Sequence, residues 1–121
     1  MNFETFNFHP SVAAGIAAAG YQTPTPIQAR AIPQVFNGRD VMGLAQTGTG
    51  KTAAFLVTVI TRLLSLNGKN NGQPSAIIIA PTRELSRQIY EEARIIARHT
   101  ELSLAQIVGG VDYLKQAEIL R

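Results

Sequence analysis

The residues Ala45-Gln46-Thr47-Gly48-Thr49-Gly50-Lys51-Thr52 carry the most specific chemistry in the sequence. They fit the phosphate-loop pattern of small residue, four spacers, Gly, Lys and Ser/Thr, with Ala45 standing where the strict pattern has glycine. Triphosphate oxygens need several donors converging on one point. Gly48 and Gly50 let the backbone take up dihedrals that aim successive N–H groups inward, so the peptide nitrogens from Thr47 to Thr52 can form an anion-binding nest. A helix starting at Lys51 adds the positive end of its dipole, Lys51 reaches the β- and γ-phosphates, and the Thr52 hydroxyl is a hard oxygen ligand for Mg²⁺. A Gly/Thr-rich turn that happens to precede a lysine is the plain alternative. It is outweighed by context, because the motif lies between a predicted strand and a predicted helix, as the mechanism requires.

The elements around this loop follow from pattern and punctuation. Pro10 to Ala19 is almost all Ala, Val and Ile, with Pro10 suited to a first helical turn and Gly20 to the position past the last. Thr25-Pro26 reads as an N-cap and first helical residue, starting a second helix that Pro33 is expected to kink or break and Asn37-Gly38 to close. Asp40 to Leu44 reads as a short strand entering the phosphate loop, and Lys51 to Leu66 as a long helix. Asn67 to Pro74 is loop-like, and Ala76-Ile77-Ile78-Ile79-Ala80 has no polar alternation, which fits a strand buried on both faces of a parallel sheet. Glu84 to His99 reads as a helix, Leu102 to Val108 as a third strand, Gly109-Gly110 as a turn, and Asp112 onward as a helix capped by Asp112. Two helices followed by β-α-β-α-β-α predict an α/β fold with an open parallel sheet, whose ligands bind beyond the carboxyl ends of the strands.

Composition bounds the function. The 121 residues allow one small domain or part of a larger one, and 45% hydrophobic against 16% charged residues is enough to bury a core. With no cysteine, disulfide scaffolds, thiolate metal sites and cysteine nucleophiles are excluded. A metal must then be held by oxygen ligands or by His9 and His99, which make no ligand constellation. A net charge of +3 and a pI near 9.7 suit a polyanionic partner without specifying one. No apolar run approaches the roughly 18–20 residues of a membrane helix, and the start lacks the basic residues of a signal peptide, so a cytoplasmic protein without a membrane partner is expected. Glu91, Glu92, Arg94 and Arg98 fall at spacings that suit exposed helix pairs and are assigned no role.

Three further motifs carry a family resemblance over nearly the whole chain. Gly20-Tyr21-Gln22-Thr23-Pro24-Thr25-Pro26-Ile27-Gln28 resembles the Q motif of DEAD-box ATP-dependent RNA helicases, Pro81-Thr82-Arg83-Glu84-Leu85 resembles their motif Ia, and Gly109-Gly110 their GG element. The chain is most similar to the bacterial RhlE-like branch. The resemblance implies a RecA-like P-loop NTPase fold. Residues 1–38 form the Q-motif region with two helices, and residues 39–121 the N-terminal part of an incomplete ATP-binding domain. It implies that Phe3 stacks on adenine, that a backbone carbonyl in the Tyr21, Gln22, Thr23 segment accepts a further adenine hydrogen bond, and that Thr25 buttresses the phosphate loop. Gln28 has its own chemical logic. A side-chain amide offers one donor and one acceptor together, which matches the N6/N7 edge of adenine and not that of guanine.

Pro81, Thr82 and Arg83 follow the second predicted strand, where a hydroxyl, a guanidinium and the amides opening a helix can meet a phosphodiester. Gly109 and Gly110 end the third strand and permit close approach of a nucleic-acid backbone. The resemblance implies sequence-independent binding of single-stranded RNA, with ATP and Mg as cofactors and Lys51 and Thr52 as the catalytic residues present. The Asp-Glu-Ala-Asp sequence and the Ser-Ala-Thr element do not occur. The expectation is therefore a fragment of a longer helicase that binds ATP or ADP but neither hydrolyses ATP nor unwinds RNA alone, and whose uncovered sheet edges favour self-association. Two other readings are a non-catalytic adenine-nucleotide-binding half-domain and a different class of P-loop ATPase, the latter having no reason to lose adenine selectivity when Gln28 or Phe3 is replaced by alanine.

Overall fold

The computed structural model describes residues 2–46, 48, 50–65, 73–110 and 113–119. Helices form at Pro10–Ala18 (α1), Pro26–Phe36 (α2), Lys51–Ser65 (α3), Arg83–Ile96 (α4) and Tyr113–Ile119 (α5), after a 3₁₀ turn at Phe3–Phe6 that the sequence pattern does not announce. Thr47, Thr49, the last residue of the predicted third helix (66), most of the predicted loop (67–72) and the predicted cap Asp112 lie outside the described residues.

Local signals set the helix ends. His9 Nδ1 accepts from the Ser11 amide at 3.2 Å and Pro10 opens α1. At the other end the Gly20 amide donates to Ala17 and the Tyr21 amide to Ile16, a paired closure that needs the left-handed φ of +86° at Gly20. The expected break at Pro33 does not occur, and α2 runs through it to Phe36. Proline removes one ladder donor, but the Pro33 carbonyl still accepts from Asn37 at 3.1 Å and the neighbouring Ile32 is fully buried, so packing holds the turn.

The core lies among the helices. Val12 and Ile16 of α1, Ile32 of α2, Leu56, Val57 and Ile60 of α3, and Ala93 and Ile96 of α4 form one buried cluster. Each large aliphatic buried there stabilises the fold by about 1.5–3 kcal/mol. α2 packs on α3, while α1 lies against α4 and α3. Gly15 makes the α1–α4 approach possible, because a β-carbon at that position would fall on the Ile96 carbonyl. Thr58, buried in α3, satisfies its hydroxyl by donating to the Phe55 carbonyl at 2.8 Å.

The three segments predicted as strands follow the helices in the expected order, but no β-ladder forms among the described residues. Burial of a parallel strand depends on neighbours bonded to its edges. Without them Met42, Leu44, Ile77 and Ile79 are 88%, 87%, 79% and 90% exposed. Leu102 to Val108 shows the alternation of a strand resting one face on a support: its even-numbered residues are half-buried, its odd-numbered ones exposed, and Leu102 and Leu104 pack against the core. Among the described residues no helix is long and apolar enough to cross a membrane.

Candidate nucleotide and nucleic-acid site

Thr25 and Gln28 begin the site as a local device. Thr25 caps α2 by accepting from the Gln28 amide at 3.4 Å, and the Gln28 side-chain carbonyl accepts from the Thr25 amide at 2.9 Å. This reciprocal capping box holds the Gln28 side chain in a fixed direction. Its Nε2 then donates to the Gly50 carbonyl at 3.1 Å, in the phosphate loop. Gln28 is fully buried, and each end of its amide already holds one partner, leaving one N–H and one oxygen lone pair for anything further.

Gly50 has φ +86° and Gly48 φ +84°, values that suit a loop turning its amides toward an anion. A β-carbon on Gly50 would meet the Gln28 amide and lie 3.1 Å from Thr25 Oγ1, so loop and cap are in direct contact. Lys51, exposed, opens α3, with Thr52 half-buried behind it. Ala45 is half-buried and Gln46 exposed ahead of the loop. Among the described residues no group of three His, Cys, Asp or Glu could hold a metal ion.

Phe3, expected from the resemblance to stack on adenine, is buried at 8% exposure as part of the hydrophobic core cluster, with its ring centroid 6.3 Å from Tyr21 and 6.2 Å from Phe6. Phe8 joins them at 6.5 Å and reaches Phe36 edge-on at 5.5 Å, completing an aromatic wall beneath the Tyr21 segment. Gln22 and Thr23 are exposed beside it. The Tyr21 hydroxyl donates to the Glu92 carboxylate on α4. Burial, and then the hydrogen bond and charge of Glu92, push the Tyr21 pKa well above its ordinary value, so the hydroxyl remains a donor through the physiological range. The helical spacing that assigned Glu92 to an exposed surface pair gives no sign of this contact.

The other edge is built from Thr82 and Arg83. Thr82 caps α4 by accepting from the Leu85 amide at 3.1 Å, which leaves its hydroxyl proton free to donate. Arg83 donates to the Gly109 carbonyl. Gly110, at φ +79°, lies against the same guanidinium, and a β-carbon there would come within 2.7 Å of Arg83 Nη2. Pro81, Thr82, Arg83, Gly109 and Gly110 are all exposed. The structure thus joins motif Ia to the GG turn, and separately joins Gln28 and Thr25 to the phosphate loop.

The DEAD/DEAH box helicase profile matches residues 25–121. The chain is 47% identical to the ATP-dependent RNA helicase RhlB of Xanthomonas campestris pv. campestris (strain B100), over all of this chain and 22% of that protein. It is 44% identical to the ATP-dependent RNA helicase SrmB of Escherichia coli (strain K12), over 97% of this chain and 26% of that protein. The chain therefore spans about a quarter of the length of these relatives. Among solved structures it resembles the RNA helicase Prp28 from Chaetomium thermophilum bound to ADP, with a TM-score of 0.82 and 41% identity over 96% of this chain and 28% of that one. That likeness carries the RecA-like helicase fold, and with the profile match it means that the chain belongs to the DEAD/DEAH box helicase family.

Proposed function

We propose that this chain is the adenine-nucleotide-binding part of an ATP-dependent RNA helicase, and that it also contributes contacts to the RNA backbone. The observation that carries the reading is the chain of bonds from Thr25 through Gln28 to Gly50, which fixes a base reader to a phosphate loop. In this assignment adenine reaches the remaining N–H and lone pair of the buried Gln28 by displacing what covers it, a carbonyl of the Tyr21–Thr23 segment adds a second base contact, and Phe3, buried at 8% exposure, backs the base side. The phosphates lie over residues 45–52, with Lys51 on the β- and γ-phosphates. Thr52 is assigned to Mg²⁺, which neutralises phosphate charge when bound.

RNA is assigned to Thr82, Arg83 and the Gly109-Gly110 turn. A hydroxyl and a guanidinium recognise phosphate and sugar without reading sequence, so binding is expected to be sequence-independent. The whole protein is proposed to act in the cytoplasm and to open short RNA duplexes. This chain, whose sequence has no Asp-Glu-Ala-Asp element, is proposed to bind nucleotide without turning it over. The exposed Met42, Leu44, Ile77 and Ile79 support self-association at high concentration, which light scattering would read directly.

Calorimetric titration with Mg-ADP and Mg-GDP in parallel tests the central assignment. Selective ADP binding is the expected result. Equal binding of the two would keep the phosphate loop and remove the assignment of Gln28, while absence of binding to either would remove both from this chain.

A further inference from the structure

We propose that Glu92 is a positioning residue for adenine recognition, acting through Tyr21. The inference rests on the assignment of the Tyr21–Thr23 segment to the base, and it adds a residue on a distant helix to that site. The hydrogen bond from the Tyr21 hydroxyl to Glu92 joins positions 71 apart in sequence. Tyr21 is held at two further points: its amide donates to the Ile16 carbonyl at 3.2 Å, closing α1, and its ring packs beside the buried Phe3. Backbone, ring and hydroxyl are thus fixed by three different elements. The exposed residues Gln22 and Thr23 leave directly from this anchored point.

Glu92 is well placed to act as a fixed post. It is half-buried, one helical turn before Ile96, and Ile96 is where the α4 backbone meets α1 at Gly15. α1, the helix that leads into Tyr21, and α4 thus touch at backbone level one turn from Glu92. A carboxylate accepts only, and the Tyr21 hydroxyl is kept protonated by burial and by Glu92 itself, so donor and acceptor roles cannot exchange. Its neighbour Glu91 faces elsewhere and pairs with Arg94 at 3.5 Å on the exposed surface. Glu92 therefore pins the far end of the Tyr21 side chain, and together with the bond at its amide and the packing of its ring this fixes the backbone position from which the following segment departs.

The test uses the 121-residue chain. ADP, GDP and pyrophosphate are titrated, each with Mg²⁺, into wild type, Glu92→Leu, Glu92→Gln, Tyr21→Phe, the Glu92→Leu/Tyr21→Phe double variant and Glu91→Leu. Expected is a loss of about fivefold in ADP affinity for Glu92→Leu and for Tyr21→Phe, comparable to one hydrogen bond, with GDP and pyrophosphate unchanged. The double variant should be no weaker than either single one, Glu92→Gln should retain wild-type selectivity because its amide oxygen still accepts, and Glu91→Leu should change nothing. A selective wild type with undiminished selectivity in Glu92→Leu overturns the role of Glu92 and leaves the base assignment standing. A parallel loss of ADP, GDP and pyrophosphate also overturns it, since that is the signature of a purely structural residue. Should Glu92→Leu fail to fold, Tyr21→Phe, which deletes one oxygen, decides in the same terms. A wild type that does not prefer ADP overturns both assignments together.

Discussion

Gln28 and Arg83 each reach from a helix to the carbonyl of a glycine, Gly50 in one case and Gly109 in the other. They differ in surroundings. Gln28 is fully buried and its bonds to the Thr25 amide and to Gly50 are part-buried, whereas Arg83 and both glycines beside it are exposed. A buried polar network is costly to disturb, because a lost partner leaves a desolvated donor or acceptor behind. At the exposed edge water replaces any lost partner. A phosphate can therefore take the Arg83 guanidinium from the Gly109 carbonyl at little cost. On the proposed assignments, the buried site reads one fixed shape and the exposed site grips and releases a polymer.

If that contrast is correct, the largest effect should follow from Gly50→Ala. The substitution forces a β-carbon into a left-handed conformation, at about 1–2 kcal/mol, and drives it against the Gln28 amide and Thr25. Nucleotide affinity should fall more than tenfold, a change of about 1.4 kcal/mol or more, together with a lower melting temperature. Gln28→Ala should come next. It strips a partner from the Thr25 amide and another from the Gly50 carbonyl, for a loss of about 1–3 kcal/mol in stability, and removes the preference for ADP over GDP in the same titration. Denaturant melts that left the Gln28→Ala variant as stable as wild type would break the contrast, since its bonds would then matter no more than exposed ones.

What the sequence made legible was local. The α2 cap reads directly from Thr25-Pro26, α1 is bracketed by Pro10 and Gly20, and the phosphate loop is continuous in sequence. Features that depend on distant chain were not legible. Gly15 looks like an unremarked residue in an alanine-rich helix until α4 is laid against it, and Glu92 looks like surface charge until Tyr21 arrives from 71 positions away. Pro33 was read by its backbone rule alone, whereas the burial of Ile32 beside it decided the outcome. The same division explains the strand predictions. An apolar run such as Ala76 to Ala80 declares a need for burial on both faces, but the ladder that meets the need is made by other segments, and none forms among the described residues.

At the exposed edge the expected effects are smaller and of a different kind. Thr82→Ala removes the α4 cap and should cost about 1 kcal/mol of stability, while weakening single-stranded RNA binding equally for all sequences. Arg83→Ala should leave the melting temperature nearly unchanged and lower the salt dependence of RNA binding by about 0.7 in the log–log slope, the value of one phosphate contact on a single strand. RNA affinities measured at several salt concentrations would sharpen the comparison. An undiminished slope would remove Arg83 from the phosphate contacts.

Glu84→Gln should give the smallest change. Glu84 is fully exposed, and its hydrogen bond and charge interaction with Arg87, at 2.7 Å, lower its pKa below the ordinary glutamate value. A lowered carboxylate pKa contributes stability above the unfolded-state value and loses it as pH falls through the folded-state value, so any contribution is present at neutral pH and fades only in acid. Full exposure screens it further, and melting at pH 7 should not resolve the variant from wild type. RNA binding should nevertheless tighten slightly, by less than about twofold in physiological salt, because the substitution releases Arg87 and removes a negative charge two residues from the Thr82 cap. A substitution that leaves stability unchanged while raising RNA affinity is possible only where the groups are solvated. The same neutralising change in reverse, Gln28→Glu, places a charge in the buried edge and should lower stability and nucleotide affinity together.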